Sequence, residues 1–180
     1  MPASPSDWLR SSHRAALVEL LFVAEILRYL WGKEMVEVLK PLVDEAGYDV
    51  ALECNGVLRH IQLKASRLGE EKPKRQTLNL HLASKPNGCV VWVLIDDTFD
   101  PKMFRYLWFG NAPGKGFPPT KSLKVAKSTR ANAQGIKPAR PGIRVLPRTA
   151  FQEIATLGEL VQLLFGRDTS LAIPSRVQII

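Results

Sequence analysis

The chain has 180 residues, 46% of them hydrophobic and 23% charged, with a formal net charge of +8. That length and apolar content suit one globular domain with a sizeable core. Glu19, Glu25 and Arg28 break the longest apolar runs, which excludes a membrane span. The opening Met-Pro-Ala-Ser-Pro-Ser-Asp-Trp lacks the basic and apolar regions of a signal peptide, so a cytoplasmic location is the default expectation.

Residues 1–11 are rich in Pro and Ser and read as a loose arm. Ser11 or Ser12 is placed to cap a helix from about His13 to Trp31, stopped by Gly32. Val36 and Val38 alternate with charged neighbours, so 35–39 reads as a strand, and Pro41 confines it to an edge or an end. Two strand-like runs within 47–66 flank Asn55-Gly56, the strongest short-range hairpin signal a sequence offers. Residues 67–75, charged and containing Gly69 and Pro73, read as a loop. Leu78, Leu80 and Leu82 alternate, yet the order of elements favours a helix over 76–84. Pro86-Asn87-Gly88 is a turn. Cys89 to Ile95 is a continuous apolar run suited to a central strand buried on both faces. Phe104 to Phe109 reads as the next strand. Cys54 and Cys89 fit a reducing compartment and read as small core residues. Residues 111–150 are punctuated by Pro and Gly and read as ordered loops or short strands, with a strand expected at Ile143–Leu146. Thr156 is placed to cap a last helix through Phe165, ended by Gly166, with Ile154, Leu157, Val161 and Leu164 as its apolar stripe. The order of elements is that of an α/β domain with a mixed sheet.

A two-residue turn fixes the hairpin register: Cys54 faces Val57, and Asp49 falls opposite Gln62. Lys64, two residues further, shares the face of Gln62 because side chains alternate with period two. The other face carries Val50 opposite Ile61, Leu52 opposite Arg59 and Tyr48 opposite Leu63, and is fit for a core. A carboxylate, an amide oxygen and an ammonium on one face suit a divalent cation and a phosphate. Oxygen ligands match Mg²⁺, with the Leu63 carbonyl as a further donor, and the ammonium orients water or stabilises developing charge. The alternative is the wet face of an ordinary amphipathic hairpin.

Glu19 has Val23, Ile26 and Leu30 at i+4, i+7 and i+11. It therefore stands on an apolar stripe, where a carboxylate is costly unless compensated. It is a candidate third ligand; the alternative is a boundary carboxylate that reaches water. Glu25, with Arg28 and Tyr29 one turn on, reads as a solvated helix charge. Asp44, just before the hairpin, is a further candidate for an acidic cluster. His60 shares the face of Gln62 and Lys64 and is a candidate phosphate contact or base, against a structural role. Glu53, near the turn, reads as solvated, and His13 and His81 make no better case. No Cys/His spacing suggests zinc, and no Walker-type glycine loop is present.

Gly-Tyr-Asp49-Val followed by Ile-Gln62-Leu-Lys64 resembles the core of the PD-(D/E)xK nuclease superfamily. Its members include restriction endonucleases, Holliday-junction resolvases and Mrr-like enzymes. The resemblance covers roughly residues 13–96. It implies a restriction-endonuclease-like αβββαβ core with a mixed sheet. Asp49 matches the motif's Asp, Gln62 its acidic position, Lys64 its Lys and Glu19 its helical Glu. It also implies catalysis by Asp49, Gln62, Lys64 and Glu19, with Mg²⁺ or Mn²⁺ held by Asp49, Gln62 and Glu19. Tyr48 stands where the motif has Pro, and Gln62 replaces the commoner acid, which removes one negative charge from the metal site. The expected organisation is a single domain over 1–180. It comprises a nuclease-like core at 12–110, a basic loop-rich segment at 111–150, a C-terminal helix at 151–166 and a tail at 167–180.

Charge is uneven along the chain. Residues 1–100 carry a net −2, residues 101–152 carry 11 Lys/Arg and no acid, and residues 153–180 carry a net −1. The simplest partner for such an acid-free block is a polyanion, because Lys and Arg displace condensed counterions from phosphates. The alternative is a basic surface that only aids solubility. Lys124, Lys127, Arg130, Lys137, Arg140, Arg144 and Arg148 are candidate phosphate contacts, with Asn132 and Gln134 available to bases or sugars. The expected function is metal-dependent phosphodiester hydrolysis on DNA, with a homodimer as one expected assembly. The alternatives are a nuclease-fold protein that binds nucleic acid without cutting, or an interaction component of a defence or toxin–antitoxin system.

Overall fold

The computed structural model describes residues 5–43, 45–68 and 74–166. Its elements run α1 (Pro5–Leu30), β1 (Val36–Leu39), β2 (Val50–Cys54), β3 (Val57–Arg67), β4 (Arg75–Asn79), a 3-10 turn (Leu80–Ser84), β5 (Gly88–Ile95), β6 (Arg105–Gly110), β7 (Val125–Lys127), β8 (Ala139–Pro147), β9 (Gln152–Ile154) and α2 (Leu157–Phe165). A six-stranded sheet has the order β1-β2-β3-β5-β6-β9, and a three-stranded sheet the order β4-β8-β7. Only β3 and β5 pair in parallel, so the main sheet is mixed. The fold class is the mixed α/β arrangement read from the sequence, with one helix near each end. Among the described residues no helix is long and apolar enough to cross a membrane.

The hairpin is the expected one. Asn55 and Gly56 take φ values of 51° and 80°, the paired left-handed conformations that a tight turn between twisted strands requires. Cys54 faces Val57 and Val50 faces Ile61. β5 is buried along its whole length, as its unbroken apolar run demands. The side chain of Thr156 accepts the Glu159 N–H to start α2, and Gly166 at φ 72° ends it.

Four expectations change. α1 starts at Pro5 rather than near His13, so Ser11 and Ser12 lie inside the helix and do not cap it. Proline suits that first turn because its missing N–H has no partner there anyway. The helix stripe is Val18, Phe22, Ile26 and Leu30; Glu19 sits on its half-buried flank instead of in it. Residues 76–84 form no α-helix: a strand comes first, and only Leu80–Ser84 is helical, as one 3-10 turn. Arg75–Asn79 is a strand because it finds a partner in β8, with Leu78 opposite Arg144, and long-range pairing overrides local preference. The Asn79 side chain then caps the 3-10 turn by accepting the His81 N–H. Finally, Tyr48 packs edge-on against His60, with ring centroids 4.8 Å apart, instead of sharing the face of Leu63.

Two cores sandwich the main sheet. On one face α1 and α2 cover Val50, Leu52, Ile61, Cys89, Val91 and Val93. On the other, Leu78, Leu82 and Leu146 from the smaller sheet and its turn cover Val90, Trp92 and Leu107. Arg59 of β3 crosses the first core with 1% of its surface exposed. Among the described residues it meets no carboxylate there. Its Nε donates to the Leu164 carbonyl at 2.6 Å, and its Nη2 donates to Leu163 and Asn111 at 2.6 and 2.8 Å. Its Nη1 reaches the Asn87 carbonyl at 3.2 Å. Leu163 and Leu164 lie in the last turn of α2, whose carbonyls have no partner within the helix and form the negative end of its dipole. Burial lowers the Arg59 pKa from its ordinary value, with the neighbouring Cys89 opposing.

Two predictions arise here. Arg59→Leu leaves carbonyls in three segments without their donor, and lowers unfolding free energy by about 3 kcal/mol, read from the urea midpoint. Burial also pushes the Cys89 thiol from 9.0 up to about 12, and burial followed by Glu25 raises Tyr106. Above pH 9 the unfolded chain ionises these groups while the folded chain keeps them neutral, so stability falls as pH rises from about 9 toward about 12. The urea midpoint at pH 10.5 should lie below that at pH 8, and Cys89→Ala with Tyr106→Phe should flatten the fall.

Candidate functional site

β2 begins at Val50, and just before it the ladder gives way to a side chain. The Asp49 N–H donates to the Ile61 carbonyl at 2.9 Å. Asp49 Oδ2 accepts the Leu63 N–H at 2.6 Å. A carboxylate has thus taken the place of the backbone acceptor that continued pairing by Tyr48 would supply. Gly47 at φ 77° makes the preceding turn, and a Cβ there would stand 2.8 Å from the Leu82 nitrogen, so only glycine lets the chain pass so close to the 3-10 turn. That approach moves Tyr48 off the expected face.

Gln62 is 7% exposed, and its Oε1 accepts a long 3.4 Å bond from the Asn79 N–H. Lys64 is half-buried and pairs in register with Trp92, as Gln62 does with Val90. Ser66 Oγ accepts from Trp92 Nε1 at 3.1 Å and from Gln76 Nε2 at 3.3 Å. His60 Nδ1 lies 2.9 Å from the Pro86 carbonyl, which can only accept, so Nδ1 is the donor of that bond. This polar row therefore runs along the face covered by β4 and its turn, and is not the open wet face of a hairpin. A buried amide in such a row is costly unless partnered, and Gln62 has the Asn79 N–H.

Glu19 takes a different partner. Its Oε1 is ion-paired with Lys40 Nζ, the residue after β1. Leu39 pairs with Ala51, so Lys40 stands level with Val50, one residue from Asp49. Glu19 is therefore held at the Asp49 end of the sheet, although α1 packs on the opposite face. Glu25 is paired with Arg28 at 2.6 Å and only partly solvated. Glu53 accepts the Gly56 N–H and serves the turn. His81 Nδ1 contacts the Glu45 carbonyl at 2.6 Å. Asp44, Gly69, Pro73 and the 167–180 tail lie outside the described residues.

Among the described residues no three His, Cys, Asp or Glu side chains group as a metal site. The candidate oxygens around the end of β2 are one carboxylate (Asp49, bonded to the Leu63 N–H), one amide (Gln62, bonded to the Asn79 N–H) and the Leu63 carbonyl. These are hard donors. Their chemistry fits a small divalent cation that keeps several waters and takes one or two protein carboxylates.

The basic block forms most of the second sheet and its connections. Lys124, Lys127, Arg130, Lys137 and Arg140 are exposed, while Arg144 is half-buried. Arg144 Nη1 donates to the Pro141 carbonyl at 2.7 Å. Arg148 pairs with Glu153 at 2.9 Å. Asn132 Oδ1 accepts the Gln134 and Ile136 N–H groups at 3.1 and 2.9 Å, so that oxygen shapes a turn. Sequence reasoning missed Arg59 and Asn79. An arginine on an otherwise apolar strand face was the available signal for the first; nothing local marked the second.

No protein-family model matches the chain, and no curated protein does. Among solved structures it is similar to a bacterial homing endonuclease, I-Ssp6803I, at 16% identity over 70% of this chain and 87% of that chain, with a TM-score of 0.36. A likeness at that level bears on neither the ligand nor the chemistry of this chain.

The Asp49 carboxylate has a structural duty that can be separated from any chemical one. Asp49→Ala strands the Leu63 N–H and should cost about 1–3 kcal/mol. Asp49→Asn keeps an acceptor oxygen and should cost less than half of that. Urea unfolding of the two variants checks the order.

Proposed function

We propose that the protein is a divalent-cation-dependent nuclease of the PD-(D/E)xK type, hydrolysing phosphodiester bonds in DNA. One observation carries the reading. The face of the main sheet that holds Gln62 and Lys64 is the face on which the acid-free, basic second sheet packs, since Val90 and Trp92, their register partners, share a core with Leu78 and Leu146. A polyanion drawn to the basic sheet is thereby brought to the side of the molecule that carries the candidate oxygens and ammonium.

In this reading Asp49 and Gln62 hold Mg²⁺ or Mn²⁺, with the Leu63 carbonyl beside them and Glu19 joining by exchange from Lys40. The bound ion would neutralise phosphate charge and acidify a water. Lys64 positions the attacking water and offsets charge as the leaving oxygen departs. Asp49 is oriented for this work by the Leu63 N–H, which fixes one of its oxygens. His60, with Nδ1–H tied to Pro86, presents Nε2 as a phosphate contact or proton acceptor.

A second reading is favoured by Gln62 in place of an acid and by the Glu19–Lys40 ion pair: a domain of this fold that binds nucleic acid without cutting. Purified protein incubated with plasmid and Mg²⁺ separates the two. The nuclease reading expects cleavage that chelation stops and that Asp49→Asn and Lys64→Ala each reduce at least 100-fold. Cleavage at the parental rate by both variants sinks it. Absence of cleavage together with DNA binding that needs no metal supports the binding-only reading.

A further inference from the structure

The three-stranded sheet does not end where its core ends. β8 pairs with β4 through its second half, Ile143–Pro147, where Leu146 is fully buried. Its first half pairs with β7 instead, Lys127 facing Ala139 and Ala126 facing Arg140. Between them the chain runs out and back as a ribbon. Every residue from 129 to 142 is exposed, so fourteen consecutive residues bury no apolar face.

The ribbon is nevertheless built. The Ser128 N–H donates to the Pro138 carbonyl at 2.8 Å, Asn132 N–H to Ile136 at 2.8 Å and Gly135 N–H to Asn132 at 3.0 Å. The two bonds to Asn132 Oδ1 close the tip, and Gly135 at φ 73° completes the turn. At its root, the Arg144 bond to the Pro141 carbonyl braces the bend. An arm ordered by its own hydrogen bonds, with no core to repay the ordering entropy, is arranged for contact outside the molecule.

Its chemistry names the partner. Lys127, Arg130, Lys137 and Arg140 line the arm, and none of them has an ion pair among the described residues. The tip presents the Gln134 amide and Ile136, 62% exposed. No aromatic residue occurs from 118 to 150, so the arm lacks the stacking platform by which proteins hold single strands. A two-stranded ribbon fits the wide major groove of B-form DNA but not its narrow minor groove, and the major groove of A-form RNA is too deep and narrow for side chains to read.

We propose that residues 125–142 form a groove arm that docks in the major groove of duplex DNA. Lys127, Arg130, Lys137 and Arg140 contact the flanking phosphates. Gln134 reads a base edge and Ile136 packs on a thymine methyl. The inference rests on the reading of the protein as DNA-directed and names its substrate as duplex; it does not depend on cleavage.

The test uses the full chain and a library of labelled 25-bp duplexes, with single strands and duplex RNA as comparisons. The parent should bind duplex DNA over both others. The fourfold variant K127Q/R130Q/K137Q/R140Q should lower the slope of log affinity against log salt by ~3.6, so that the parent loses roughly 150-fold more affinity than the variant between 50 and 200 mM salt. The double variant Q134A/I136A should keep the parental slope but change or flatten the base preferences recovered from the library. All of these residues are exposed, so circular dichroism and the urea midpoint should match the parent. The arm proposal is overturned if the fourfold variant keeps the parental slope for duplex DNA, or if the parent prefers single strands or RNA. Cleavage is scored separately. A fourfold variant that has lost duplex binding supports the arm even where Asp49→Asn leaves cleavage unchanged and the nuclease reading fails.

Discussion

Arg59 ties three segments of the chain to one guanidinium. One guanidinium reaches from β3 to the last turn of α2 and to the carbonyls of Asn87 and Asn111. An arginine this buried normally needs a carboxylate. Here the partial negative charges of a helix C-terminus and two loop carbonyls take its place, and the Trp108 ring, 5.3 Å from the guanidinium carbon, adds a further favourable face. That contact braces the seating of α2 against β3. β3 in turn carries the candidate chemistry on its other face, so the same strand anchors the helical layer and presents Gln62 and Lys64.

The end of β2 shows how a polar residue serves the architecture of a sheet. Asp49 replaces a backbone acceptor for Leu63, which ends the ladder without leaving a donor unpaired. That substitution frees Tyr48 to leave the helical face and meet His60. It also sets a carboxylate at a fixed height on the sheet, with one oxygen held by the Leu63 N–H. The Glu19–Lys40 pair belongs to the same end of the sheet but approaches from the helix side, and its ion pair keeps two opposite charges from standing alone at the sheet margin.

The smaller sheet separates two tasks along one strand. The C-terminal half of β8 is committed to the second core through Leu146 and its pairing with β4. The N-terminal half pairs with β7 and carries cations that have no ion pair among the described residues. No acid occurs from 101 to 152, and Glu153, the next in sequence, is used by Arg148.

Much of this was legible in the linear chain because it depends on local rules. Asn55-Gly56 determined the hairpin and its register, since a two-residue turn leaves no choice of pairing. The unbroken apolar run at 89–95 determined a doubly covered strand, and the Thr156–Gly166 caps determined α2. Contacts between distant segments decided the rest. Residues 76–79 became a strand only because β8, more than sixty residues later, offered a free edge. Tyr48 changed faces because Gly47 had to pass the 3-10 turn. Glu19 left the apolar stripe because the helix, starting at Pro5, turned Val18 and Phe22 inward and brought Glu19 to Lys40. Arg59 became the buried tie because α2 ends against β3. Local conformational preference writes itself into neighbouring residues, whereas the partner of a buried polar group is known only once the chain has closed on it.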